Sequence, residues 1–414
     1  MKLSNEPVRG TKDYLPKEME IREEIKQKIL ASYRSFGFMQ VGTPVLEDIN
    51  RLLGSDGGDN LKLIFKVLKR GEKLNLSQDN LTERDIVDYG LKYDQTVSLV
   101  RLFSNNQNNL PTPFKSIQID YAFRADRPQK GRLRQFTQCD IDILGDPTIN
   151  AEIDIINTTA KTFARLGFKD FVARVNDRRV LSSIINSVGF DAESETDICI
   201  SLDKLDKIAV SGVTAELLEK GYDETKVNKL LENIERVKNS SDPMKELLNL
   251  GVSEKLVGDI NTIISSVNAL ATNGFKAVFD ITIIRGQGYY TGTVFEFFMP
   301  GFGGACAGGG RYDNMIEKMT GNSVPAVGLG LGLEPTSMLI AEQGLMQTNS
   351  KKIAVVYRPE HKFVDVLKYV QSLNADNSVS AILAKKNLNH QLEILKQNGF
   401  TNFVMFPETE IKPL

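Results

Sequence analysis

Hydrophobic residues recur at Ile21, Ile25, Ile29 and Tyr33 with charges between them. That four-residue spacing predicts an amphipathic helix over 17–36, ended by Gly37. Residues 38–46 then read as extended, with Pro44 inside. Proline cannot donate to a ladder, so the strand belongs at a sheet edge or a subunit contact. Residues 117–123 alternate: Ile117, Ile119, Tyr121 and Phe123 share one face, Gln118 and Asp120 the other, which Arg124 continues. Residues 135–144 alternate as well. Thr137, Cys139, Ile141 and Ile143 face one way; Phe136, Gln138, Asp140 and Asp142 face the other. A face with an amide and two carboxylates in a row has two readings. It is the solvated side of an antiparallel sheet, or the floor of a polar pocket.

The connection 124–134 (RADRPQKGRLR) sets Arg124, Arg127, Lys130, Arg132 and Arg134 against Asp126 alone. Such a loop suits polyphosphate or a nucleic-acid backbone, although a solvated hairpin tip would look the same. Residues 178–270 are helical in pattern, with turns at Gly221–Tyr222 and 240–243, and read as an insertion or accessory domain. Strand character returns over 281–298, where Arg285 follows a β-branched run. A charge leaving a buried strand needs a carboxylate or a ligand anion. Glycines crowd 301–310, and 326–333 alternates small and large, so a flat glycine face covers something. Glu334 and Pro335 then open a helix. Strands at 353–357, 378–384 and 403–406, separated by helices near 361–373 and 387–398, make a βαβαβ unit with a parallel sheet.

Composition narrows the chemistry. A chain of 414 residues predicts two or three domains, and 41% apolar with 25% charged residues is ordinary for a globular protein. The net charge of −2 excludes a general basic field, so any nucleic-acid partner is met by a local patch. No apolar run approaches a membrane span and none follows Met1 as a signal core, so a cytoplasmic protein is expected. Cys139, Cys199 and Cys306 are scattered without CxxC, which speaks against a disulfide framework or a cysteine zinc site. Cys139 reads as a small buried hydrophobe. The two histidines, His361 and His390, read as surface residues near the C-terminus. No imidazole is therefore available through residue 360 for a Ser–His or Cys–His nucleophile or a metal site. Chemistry there must rest on carboxylates, arginines, tyrosines and backbone groups.

Seven segments, in order, resemble the histidyl-tRNA synthetase family of class II aminoacyl-tRNA synthetases. RGTKDYLP (9–16) is similar to its N-terminal signature. FGFMQVGTPVLE (36–47) resembles motif 1, and LKYDQTVSLVR (91–101) its histidine-binding strand. FRADRPQKGRLRQFTQCDIDILG (123–145) resembles motif 2. RGQGYYTGTVFE (285–296) is similar to the histidine signature, and GGGRYD (308–313) with PAVGLGLGLE (325–334) to the run into motif 3. The resemblance implies an α+β fold: a class II antiparallel sheet flanked by helices over 1–340, with a helical insertion over about 178–270. A short anticodon-binding-like α/β domain would follow at 352–414.

The resemblance further implies a two-step ligase that activates histidine with ATP and Mg2+ and transfers it to tRNA(His), working as a homodimer through motif 1. Arg124 and Arg285 would be catalytic, both on the α-phosphate. Asp94, Thr96, Gln138, Asp142, Tyr289 and Tyr290 would hold histidine. Phe136 would stack on adenine and Arg132 reach the outer phosphates, with Arg124 and Arg285 also on ATP; Arg127 and Lys130 would meet tRNA. No tightly bound cofactor or resident metal is implied. Four positions depart from the pattern: Pro335 replaces the motif 3 arginine, Gln287 and Gly288 replace Leu-Asp, and Asp126 replaces Glu. These departures keep open a rival of another kind, the non-catalytic histidine-sensing regulatory subunit of ATP phosphoribosyltransferase. A paralogue that activates an amino acid but charges something other than tRNA is a third reading. Arg285 and the basic motif 2 loop favour the ligase.

Overall fold

A computed structural model of the chain describes residues 4–55, 58–77, 80–129, 131–284, 289–346, 351–374 and 377–414. Lys130 and Arg285 lie outside the described residues. The chain divides into two compact units. One comprises residues 8–11 and 26–343; the other comprises the described parts of 1–7, 12–25 and 344–414.

The larger unit is built on an eight-stranded sheet. Its order is Met39–Gln40, Phe114–Phe123, Gln135–Leu144, Ala326–Gly332, Ala305–Arg311, Thr293–Phe298, Val172–Asp177 and Lys276–Phe279. The two outermost pairs are parallel and the inner pairs antiparallel. The pairing of Gln135–Leu144 runs unbroken along Phe114–Phe123 on one side and Ala326–Gly332 on the other. It is therefore a central strand, and both its faces are covered. The Cys139 face meets Tyr33 of the helix Pro16–Ser35, whose buried hydroxyl donates to the Cys139 carbonyl at 3.2 Å. The helix Asn150–Arg165 is tied in by Ser32 and Thr162 at 2.8 Å, and by Arg311. That arginine donates through Nε and Nη2 to the buried Glu152 carboxylate at 2.7 and 2.6 Å. Removing one partner of such a pair would strand a charge in the interior.

The expected edge strand is there but short. Only Met39 and Gln40 pair, parallel to Phe114–Phe123, and Val41 adds one bond to the Ile117 carbonyl. The chain then crosses Pro44, and Leu46–Asp48 joins a separate three-stranded sheet with Val87–Leu91 and Lys66–Leu68. The expectation of a strand over 281–298 is corrected at residues 281–284 and 289–292, where the described chain is not extended in a ladder. Asp280 accepts from the N–H and hydroxyl of Thr282 at 2.9 and 2.7 Å, which turns the chain. Asn176 then donates to the carbonyls of Ile281 and Ile283. Ile281, Ile283 and Ile284 are buried, so the β-branched run serves packing rather than a ladder.

The helical stretch folds as Arg178–Val188, Glu195–Leu202, Leu205–Glu219, Glu224–Asn239, Pro243–Asn249 and Glu254–Ala269. These close on a core of their own that includes Ile184, Leu230 and Ile260. In the smaller unit, Lys352–Tyr357 pairs in parallel with Ser378–Leu383 and Asn402–Met405, as the βαβαβ pattern predicts. An antiparallel pair, Lys412–Pro413, is added at the edge. The helices Phe363–Leu373 and Leu388–Gln397 cross between the strands around Val355, Val366 and Val404. None of the three cysteines is in a disulfide, and all three are buried. Among the described residues no helix is long and apolar enough to cross a membrane.

Candidate active site

The polar face of Gln135–Leu144 is the floor of a cavity of about 200 Å³ inside the larger unit. Phe136, Gln138, Asp140 and Asp142 line it, and Asp140 and Asp142 are only 4% and 2% exposed. The solvated-face reading of this strand is thereby excluded. Glycine makes room for the floor. In the neighbouring strand Gly328 pairs with Asp142 and Gly330 with Asp140. A Cβ on Gly328 would collide with the Asp142 carboxylate, and one on Gly330 would press on Gln138 and Asp140. The small-large alternation thus lets two acidic side chains lie across the sheet.

Asp94 enters from the end of the strand Val87–Leu91. Its Oδ1 accepts the Val97 N–H at 3.2 Å, at the start of the helix Thr96–Asn106. Its Oδ2 is buried without a partner among the described residues, and so is Gln138 Oε1. Thr96 lines the cavity beside it, with Tyr289 and Tyr290 opposite. Arg124 follows the strand Phe114–Phe123. Its Nε donates to the Tyr93 carbonyl at 2.9 Å, and its guanidinium lies 5.2 Å from the Phe136 ring centroid. Among the described residues its Nη groups carry no hydrogen bond, so they remain available to an anion.

The carboxyl groups feel one another and the loss of water. Burial raises Asp142 to about 7, against its hydrogen bond from the Tyr312 hydroxyl at 2.6 Å and with help from the Asp94 charge. Burial pushes Asp140 well above the usual carboxylate range, reinforced by Asp142 and Asp94 and opposed by Arg124 and Lys92. Asp94 is raised too, chiefly by burial. An enclosed site rich in acceptors, with one guanidinium at its rim, suits an ammonium group and an anion together.

Asp94, Thr96, Arg124, Phe136, Gln138, Asp142, Tyr289 and Tyr290 all meet at this cavity. Arg132 does not: it pairs with Asp126 at 2.8 Å on the loop surface. Arg127 is exposed on the same loop. Arg134 anchors that loop. Its N–H donates to the Gly10 carbonyl at 2.7 Å and its guanidinium to the carbonyls of Asp126 and Arg9. The RGTKDYLP segment thus begins by pinning the loop, a role its sequence did not announce.

Asp140 stands on the polar face that the alternation assigned to it. Two further groups carry no such signal. Tyr312 reaches Asp142 from 170 residues away. Lys92 is fully buried, its Nζ donating to Asp120 at 2.9 Å and Thr43 at 3.2 Å; nothing local marks it. Pro335 also lines the cavity, at the start of the helix Leu333–Gln343. Beyond the tyrosine pair lies a larger chamber of about 800 Å³. Of its three arginines, Arg51, Arg178 and Arg179, two are turned to carboxylates: Arg179 to Asp177 at 2.7 Å and Arg51 to Glu47 at 3.8 Å. The smaller, carboxylate-floored cavity is the better candidate for chemistry. Among the described residues no group of three histidine, cysteine or acidic side chains is arranged to hold a metal ion.

The family model described as histidyl-tRNA synthetase matches residues 10–336. The histidine–tRNA ligase of Leifsonia xyli subsp. xyli is 38% identical over 408 residues, covering 96% of this chain and 94% of that protein. Among solved structures, histidyl-tRNA synthetase from Nostoc sp. PCC 7120 superposes with a TM-score of 0.75 at 24% identity, covering 97% of this chain and 91% of that one. A Bacillus halodurans C structure described as an ATP phosphoribosyltransferase regulatory subunit/histidyl-tRNA synthetase gives 0.77 at 16% identity, covering 99% and 100%. Those two likenesses establish the fold, which is that of a class II aminoacyl-tRNA synthetase. The family model and the sequence relatives go further: the chain belongs to the histidyl-tRNA synthetase family.

Proposed function

We propose that this protein is a histidine–tRNA ligase, with the acidic cavity as its amino-acid and adenylate site. The observation that carries the reading is the meeting of Arg124 with Asp94, Gln138 and Asp142 in one enclosed space. The unpartnered Asp94 Oδ2, with Gln138 Oε1 and Thr96, receives the ammonium of histidine, and Asp142 with Tyr289 and Tyr290 surrounds its ring. The Arg124 guanidinium orients the substrate carboxylate against the α-phosphate of ATP, whose base lies on Phe136. A carboxylate oxygen bonds to phosphorus as the bond to pyrophosphate breaks. The terminal ribose hydroxyl of tRNA(His) then attacks the carbonyl carbon and AMP leaves. Orientation and neutralisation of phosphate charge supply the rate. Arg285 joins Arg124 on the phosphate by family resemblance. ATP enters as its Mg2+ complex, the ion held by the phosphates.

The loop with Arg127, Lys130 and Arg132 meets the tRNA backbone and outer phosphates; the surface position of Arg127 and Arg132 supports this. The synthetase-like portion runs over 1–340 and the anticodon-binding-like portion over 352–414. A homodimer through motif 1 is supported by Met39, Leu46, Tyr89 and Tyr121, apolar side chains 40–51% exposed around Pro44. Light scattering would then give about twice the chain mass of 46.1 kDa. We place the enzyme in the cytoplasm, where tRNA is charged.

The deciding experiment is histidine-dependent exchange of labelled pyrophosphate into ATP. Exchange establishes activation. Histidine binding without exchange would establish the regulatory-subunit reading, which relatives named as ligases do not favour.

A further inference from the structure

Lys92, Tyr93, Asp94 and Gln95 join the strand Val87–Leu91 to the helix Thr96–Asn106. Asp94 lines the cavity. Its three neighbours are spent on the strand Phe114–Phe123 and the residue after it. The Lys92 carbonyl accepts the Phe123 N–H at 3.0 Å, and the Tyr93 carbonyl accepts Arg124 Nε at 2.9 Å. Gln95 Nε2 donates to the carbonyls of Asp120 and Tyr121 at 3.0 and 3.3 Å. Asp94 and Arg124, the two charged groups that would meet an amino acid's ammonium and carboxylate, are thus hung from one short segment.

A closed ring of hydrogen bonds fixes that segment. Lys92 Nζ donates to Asp120 Oδ2 at 2.9 Å and to Thr43 Oγ1 at 3.2 Å. The Thr43 hydroxyl donates on to Gln118 Oε1 at 3.1 Å, Gln118 Nε2 donates to the Gln95 carbonyl at 3.0 Å, and Gln95 Nε2 returns to Asp120. Thr43, Lys92, Gln95 and Gln118 are buried, whereas the Asp120 side chain is 36% exposed. The segment after the edge strand, the strand Phe114–Phe123 and the segment carrying Asp94 all meet at the Lys92 ammonium.

Folding has little need of the charge itself. Desolvating a fully buried ammonium is costly, and its carboxylate partner is partly hydrated. A methionine would fill nearly the same space and leave Asp120 to water, so stability should change little. What the ammonium supplies is a fixed point for the chain on either side of Asp94.

Resting on the ligase reading, we propose that Lys92 is a positioning residue for the amino-acid substrate. It acts through the backbone of residues 92–95, setting Asp94 Oδ2 and the Arg124 fork at the spacing that receives the ammonium and carboxylate of one molecule.

The test is calorimetric titration of histidine into the wild type and two variants, each also unfolded in urea. Lys92→Met should bind histidine roughly tenfold or more weakly, the scale of a small misplacement of orienting groups, with an unfolding midpoint close to that of the wild type. Lys92→Arg, which keeps a cationic donor, should stay within about threefold of the wild type. A folded Lys92→Met with wild-type affinity overturns the proposal. So does a Lys92→Met that fails to fold, which would mark a structural ion pair, or a Lys92→Arg that binds no better than Lys92→Met. These outcomes leave the ligase reading standing, because it rests on the wild type. No histidine binding by the wild type would sink both.

Discussion

Arg124 and Asp142 show at the scale of single residues how position turns ordinary side chains into reagents. Arg124 keeps one nitrogen on the backbone of Tyr93 and its fork toward the cavity. Arg124→Gln should lower pyrophosphate exchange by roughly 10²–10³, as loss of a preorganised donor does. Its melting temperature should move little, because the side chain is half-buried and a single hydrogen bond, to the Tyr93 carbonyl, ties it to the fold. A variant that unfolds would mark Arg124 as structural. Asp142 is raised from 3.8 to about 7. The folded protein therefore keeps a proton that the unfolded chain has lost between those values, and stability falls as pH rises through that window. Asp142→Asn should remove this part of the slope. Thermal melts should find it more stable than the wild type at about pH 8, and weaker for histidine. Equal melting at high pH would mean that the carboxyl is not held protonated. At this scale the arginine was legible from its motif. The acidity of its surroundings was not, because it depends on three carboxylates from two distant segments.

Strand parity was the most readable signal at the scale of elements. The two-residue period of 135–144 placed four polar side chains on one face, and the structure turns that face into the cavity floor. Whether that face met water or protein was not legible, because it depends on the partner strand. Gly328 and Gly330 decide it by leaving space for the carboxylates. Gly328→Ala should therefore cost about 1–3 kcal/mol or more in urea unfolding, the range for overpacking a tight core. It should also weaken histidine binding, since the Asp142 carboxylate must move. Unchanged stability would mean that the floor can shift at little cost. The run 281–284 shows the converse error. β-Branched residues suit a strand, but Asp280 and Asn176 take its hydrogen bonds, and tertiary contacts override propensity.

The whole molecule joins a nearly neutral chain to a highly charged substrate. With a net charge of −2, attraction to tRNA must come from local patches such as the loop after Arg124. Binding of tRNA(His) should fall steeply with salt, and Arg127→Ala should lower the slope of log K against log salt by about one. A slope unchanged by the substitution would remove Arg127 from the contact. The helical stretch 178–270 and the C-terminal βαβαβ unit were both legible, since their periodicities are long and local.

The chain by itself determined the periodic elements, the order of its motifs and the absence of imidazole chemistry through residue 360, because these are properties of neighbours in sequence. Only the tertiary structure decided that Tyr312 reaches Asp142, that Lys92 is buried against Asp120, and that Asp140 stands on the cavity floor. Those facts depend on burial and on partners far apart in the chain. Electrostatics in a dry enclosure is set by what converges there, whatever the separation along the backbone.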